Sequence, residues 1–138
     1  MAEVQFSTDV SRAEALLRAA DALLRTLGPS EVTLILPLAV QQDKSDLGLA
    51  TPAVEQALLS PAVLRTLSSP GAARVRMELL LSASTVNGQA EARNFDRPGA
   101  MFDAALGILH GGKLLRIESV GWDSFAGVPY LYRVILTD

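Results

Sequence analysis

The chain has 138 residues, 49% of them apolar, a net charge of −3 and no cysteine. That is enough apolar material to bury a core without disulfide or metal staples, and the length points to one domain, residues 1–138. The missing cysteine excludes disulfides, zinc–thiolate sites and cysteine nucleophiles, and the balance of charge lacks the basic excess of a general nucleic-acid binder.

Met1 to Asp9 is polar, with no apolar core of a signal peptide. The longest strongly apolar run, Val32 to Val40, is too short to span a bilayer as a helix. The expectation is a cytoplasmic protein where it is made, with no membrane partner.

Ser11 to Leu27 is the clearest predicted helix. Val10, Ala13, Leu17, Ala20, Leu24 and Leu27 recur at steps of three and four, and Leu16 and Leu23 widen that stripe. Ser11 with Glu14 has capping-box spacing, although Ser7, Thr8 or Asp9 could cap instead. Gly28-Pro29 is a strong stop. Glu31 to Val40 reads as a strand buried on both faces, placed at an edge, bulged or ended by Pro37. Gln41 to Pro52 reads as a surface loop. Ala53 to Leu67 has helical composition cut by Pro61, which predicts a short helix over Pro52–Leu59 and a second turn or helix over Pro61–Leu67.

Arg74 to Val86 alternates apolar and polar residues and predicts an amphipathic strand. Asn87-Gly88 follows as a hairpin dipeptide. The stretch after it, Gln89 to Phe95, is either a paired strand or a loop. Arg97 to His110 reads as the last helix, with Asp96 as a possible cap, Pro98 in its first turn and Gly111-Gly112 at its end. Two strands then close the chain, Lys113–Val120 and Val128–Leu136. Between them lies the loop Gly121 to Gly127, which carries Trp122, the sole tryptophan, and Phe125.

The fold class these elements imply is α+β. The N-terminal helix and a later helix pack on a mixed, mostly antiparallel sheet of four or five strands that ends in a C-terminal β-hairpin.

Catalytic chemistry has little to stand on. His110 is the only histidine, and His110-Gly111-Gly112 resembles an esterase oxyanion strand, but no Gly-x-Ser-x-Gly elbow exists to supply a nucleophile. At a helix C-terminus His110 would simply complement the dipole. Asp43, Ser45, Asp46 and Gly48 echo a calcium loop, yet Val54 stands where the bidentate glutamate belongs. Nothing in the spacing of Asp96, Asp103, Glu118 and Asp123 forces two carboxylates together. No glycine pattern cradles a phosphate. Arg74 and Arg76 share one strand face and could meet an anion, RNA or a neighbouring subunit. Arg116, Glu118 and Arg133 could form a cross-strand charge set. No enzyme activity, cofactor or metal is expected.

Trp122 and Phe125 are the most informative pair. Either the loop folds back and both rings plug an end of the core, or they lie exposed and insert into another protein. The docking reading takes Trp122, Phe125, Asn87 and Phe95 as interface residues. An alternative is a small-molecule pocket between helix and sheet, with Arg76, Glu78 and His110 as its polar groups.

The segment Gly112-Lys113-Leu114-Leu115-Arg116-Ile117-Glu118-Ser119-Val120, followed by a loop and Gly127-Val128-Pro129-Tyr130-Leu131-Tyr132-Arg133-Val134, resembles the closing hairpin of small neck and tail proteins of tailed phages and prophages. The strand Leu79 to Ser84 fits the same picture, and the resemblance covers about the last 65 residues. It implies a virion structural protein of the head–tail connector or tail-completion type, without catalytic residues. Its partners would be other virion proteins or copies of itself in an oligomeric assembly, with nucleic acid no primary partner. Its location would be the virion once assembled.

Overall fold

The structure, a computed structural model, describes residues 2–27, 30–37, 54–67, 71 and 74–138. Three helices and six strands follow one another as α1 (Ala2–Leu27), β1 (Ser30–Pro37), β2 (Val54–Thr66), β3 (Arg76–Ser82), α2 (Ala83–Ala92), α3 (Pro98–Ala104), β4 (Gly107–His110), β5 (Lys113–Phe125) and β6 (Val128–Thr137). The protein is α+β. Its sheet is neither open nor mixed: the strands close into a barrel in the order β1-β2-β3-β6-β5-β4, with every neighbouring pair antiparallel. Closure pairs every strand on both sides over at least part of its length, so no strand is an edge strand throughout.

Side chains fill the barrel. Leu34, Leu59, Leu79, Leu81, Met101, Ile108 and Leu136 are fully buried there, and Val86, Ala90 and Phe102 from the helices join the same cluster. The alternation in β3 that suggests a strand works as expected up to Ser82. Ser82 then starts a helix instead of continuing to Val86: its hydroxyl accepts from the Thr85 N–H at 3.4 Å. Asn87-Gly88 is therefore no hairpin turn but the solvent side of α2, whose Ala83, Val86 and Ala90 are buried. Helical spacing of three apolar residues outweighs the turn preference of one dipeptide, at a cost of about 1 kcal/mol for the helical glycine.

Two further expectations are corrected. Val54–Thr66 is one strand, not a short helix followed by a second turn or helix. Ala57 and Leu59 are buried while Gln56 and Leu58 are exposed, a period of two that its Ala- and Leu-rich composition hides. Residues Val54–Leu59 pair with β1 and Ala62–Thr66 with β3, Ala62 pairing also with Ser30 of β1, and Pro61 falls in the irregularity between Leu59 and Ala62. Arg97–His110 is likewise not one helix. Pro98 does open α3, but the cap position is Arg97, without a side-chain cap bond, and the helix stops at Ala104. Gly107 then begins β4, so His110 ends a strand and not a helix. Gly111 and Gly112, both at positive φ (59° and 78°), make the tight turn into β5.

Helix α1 begins at Ala2, well before Ser11, so Ser11 lies inside it and caps nothing. It rests on β2, β3 and β6. The buried stripe is narrower than the leucine pattern suggests: Ala13 and Leu24 are buried and Leu17 touches the core, while Leu23 and Leu27 are exposed. A polar hook fixes the register. The Ser82 hydroxyl donates to Asp21 at 2.9 Å, and the Arg25 guanidinium donates to the same carboxylate at 2.9 Å. The bond from Arg25, supported by that from Ser82 and opposed by burial, holds the Asp21 carboxyl below its usual 3.8. A depressed carboxyl contributes stability above its unfolded pKa and loses it as the pH falls through the folded value. Asp21→Ala should therefore lower stability by about 1 kcal/mol near neutral pH. In thermal unfolding, the gap between variant and wild type should close as the pH drops below about 4. A gap that persists there would mean the hook does not depend on charge.

Helix α2 takes the place of a strand. Beyond β3's last residue, β2 has no strand on that side among the described residues. Instead the hydroxyl of Thr85 donates to the Ser60 carbonyl at 2.9 Å, the amide of Gln89 to the Leu58 carbonyl at 2.7 Å and the guanidinium of Arg93 to the Gln56 carbonyl at 3.2 Å.

Candidate docking site

On the opposite flank no such substitution occurs. Strand β4 has four residues and pairs with β5 only at Lys113, Leu114 and Leu115. Strand β5 continues to Phe125 and pairs with β6 from Arg116 onward, with irregularities between Ile117 and Ser119 and between Asp123 and Ser124. From Arg116 to Phe125 its other edge has no strand partner among the described residues, so alternate backbone N–H and C=O groups point outward there. Helix α3 stands across from this edge. The space between is a groove of about 380 Å³ whose walls include Gly99, Phe102, Ala105 and Leu106 on one side and Ile117, Val120 and Trp122 on the other.

Trp122 is not at a loop tip. It sits within β5, opposite Tyr132 of β6, because the hairpin turns only at Ala126-Gly127, both at positive φ (51° and 79°). That two-residue turn matches the twist of its strands. Tyr132 is buried, with Phe102 on one side and Trp122 on the other, each ring centroid 6.2 Å from its own. Burial pushes the Tyr132 phenol above its usual 10.0, so the ring stays neutral. Trp122 faces the core side of β5 but remains 55% exposed, since β4 is too short to cover it. Leu106, 53% exposed, lines the same groove, and Val128, 40% exposed, lies at the end of the hairpin opposite Phe125. Phe125 is half-buried at the tip of the hairpin.

Asn87 and Phe95 line a second depression, of about 530 Å³, at the junction of α2 and α3. Arg97 borders both this depression and the groove of Trp122. Of the four expected interface residues, Trp122 thus lines the groove, Asn87 and Phe95 line the second depression, and Phe125 lines neither. Phe102 and Leu106 line the groove with Trp122 and were not singled out by sequence. The break at Leu106-Gly107 was the available signal, hidden by reading a helix through it.

The polar groups of the alternative pocket do not converge. Arg76 and Glu78 are on β3, His110 is on β4, and the two strands are not neighbours in the barrel. Arg76 donates twice to Glu118, at 3.1 Å each, and borders a cleft with Arg74 and Arg116. Glu78 is buried on the barrel wall, 2.6 Å from Arg65 and 3.8 Å from Arg133, and Arg133 also pairs with Asp123 at 2.8 Å. This ladder crosses β2, β3, β6 and β5. The anticipated set of Arg116, Glu118 and Arg133 is thereby rearranged, with Glu118 taken by Arg76 and Arg133 by Asp123. Of the four carboxylates considered together, Asp103 faces Arg97 at 3.9 Å, while Glu118 and Asp123 have the arginines just named. Asp96 borders the second depression. Among the described residues no group of three or more His, Asp or Glu side chains could hold a metal, and no helix is long and apolar enough to cross a membrane. The calcium-loop echo at Asp43 to Gly48 lies outside the described residues.

Comparison with known proteins finds no matching family model, no similar curated protein and no similar solved structure.

Proposed function

We propose that the protein is a non-enzymatic structural protein of a phage or prophage virion, a neck or tail component, that works by docking other protein chains. The observation that carries the docking is the exposed Trp122 beside the free edge of β5. Extended chain added to such an edge gains main-chain hydrogen bonds, and a neighbouring apolar crevice selects its side chains. A large aromatic in that crevice is the usual anchor of a contact. The virion assignment rests on the resemblance of the closing hairpin. Portal, capsid or terminase genes beside its own would support it, and purely metabolic neighbours would sink it.

Trp122→Ala tests the docking. Binding to the neighbouring structural proteins, or self-assembly, should weaken at least about tenfold, the loss typical of an anchor residue. Thermal stability should fall only slightly, since half the ring is already wet. Unchanged assembly with a large drop in melting temperature would mean the ring serves the core.

A small-molecule function would use a surface groove such as this one, between helix and sheet, because side chains fill the barrel interior. The groove is within the size range of ligand sites. A metabolite that raises the melting temperature in a saturable way would favour that reading.

A further inference from the structure

The free edge of β5 is complementary to itself. Between Ser119 and Asp123 the strand alternates regularly: Val120 and Trp122 pair with buried Val134 and Tyr132 and share their face, while Ser119, Gly121 and Asp123 take the other. Lay a second β5 antiparallel along this edge with its own Gly121 opposite the first. Val120 of each copy then meets Trp122 of the other, and Ser119 meets Asp123. No like charges oppose one another, which is the arrangement a paired strand requires. The two glycines face each other, and a Cβ at Gly121 would have nothing within 4 Å.

That contact covers the exposed Trp122 at the mouth of the groove flanked by Phe102 and Leu106.

We infer that the free protein pairs with a second copy of itself by two-fold, antiparallel joining of the two β5 edges about Gly121, over Ser119 to Asp123. This rests on the docking reading of the same surface and commits it to one occupant. An isologous contact of this kind closes at two copies. It also shields a long edge that would otherwise invite uncontrolled pairing.

The chain has no cysteine, so one introduced thiol reports the geometry without interference. Gly121→Cys places two thiols at the two-fold axis, where facing Cα atoms are about 4.5–5.5 Å apart and within disulfide reach. Mild oxidation should convert most of it to a covalent dimer on a non-reducing gel. Ser84→Cys, exposed on α2, should remain a monomer. The unmodified protein should sediment at twice the mass of the chain, and Trp122→Ala should shift it at least about tenfold toward monomer. Unmodified protein that sediments as a monomer at high micromolar concentration overturns the pairing, whether or not the cysteine variant folds. If Gly121→Cys stays uncross-linked while Trp122→Ala still loses its grip on neighbouring structural proteins, the second copy is the wrong occupant and the docking function stands. If Trp122→Ala changes neither contact, both fall.

Discussion

Phe102→Ala should lower stability by about 3–5 kcal/mol, the cost of truncating a buried aromatic and leaving a void. Phe102 is buried, packs with the barrel cluster and stands 6.2 Å from Tyr132. Together with Met101 it supplies the buried side chains by which α3 is held to the barrel. Helix α3 has seven residues, too few to persist without packing. The loss should therefore extend beyond the void. The helix should loosen, the groove should lose a wall, and docking should weaken together with the melting temperature. Chemical denaturation and hydrogen exchange would measure both effects. Fast exchange confined to residues 98–106, with global stability nearly unchanged, would show that α3 is not integrated with the core.

Gly107→Ala should be the most damaging alanine substitution among the described glycines. An added Cβ would lie 2.6 Å from the Leu115 carbonyl oxygen and 3.1 Å from the nearest Leu114 side-chain atom. The first of these is backbone of the neighbouring strand and cannot swing aside. Overpacking of this kind costs about 1–3 kcal/mol and sometimes more. The position makes it worse. Gly107 opens β4, the short strand that joins β1 to β5 and closes the barrel. Relief of the clash means parting β4 from β5, and the free edge of β5 would then lengthen toward Lys113. The expected result is a large fall in melting temperature accompanied by aggregation, both visible in a scanning light-scattering melt. An alanine variant that melts within a degree or two of wild type would show that the two strands can separate locally without cost.

Periodicity was a good guide wherever one element did one job. The run Val32 to Leu36 and the alternation from Met77 to Leu81 announced strands, and Ala13, Leu17 and Leu24 announced the seat of α1. Periodicity failed where one segment served two neighbours. Strand β2 changes partner at Pro61, and its alanines and leucines satisfy helix preference as readily as strand burial. The chain from Arg97 to His110 changes from helix to strand at Gly107, a glycine required by a close approach that only the closed barrel creates. Asn87-Gly88 looked like a turn because no local signal reports that Val86 and Ala90 will lie over the barrel. Of the candidate site, Trp122, Phe125, Asn87 and Phe95 were legible as residues of interest from rarity and position. That Trp122 shares a groove with Leu106 and Phe102, while Asn87 and Phe95 meet in a second depression, follows from the tertiary arrangement, which no short window of sequence contains.

The grip of α2 on β2 has a built-in limit of length. Thr85, Gln89 and Arg93 repeat every four residues, and the carbonyls of Ser60, Leu58 and Gln56 repeat every two. Four helical residues advance about 6.0 Å and two strand residues about 6.6 Å. The two scales agree closely enough for neighbouring graduations to coincide, then drift apart by a little over half an ångström at each step. The side chains lengthen along the series, from a hydroxyl to an amide to a guanidinium, in the direction in which reach must grow. Arg93 is also where the helix ends. A helix can thus stand in for a missing strand over about three carbonyls, working as a vernier read against a ruler, and a longer gap in such a barrel would need a real strand to fill it.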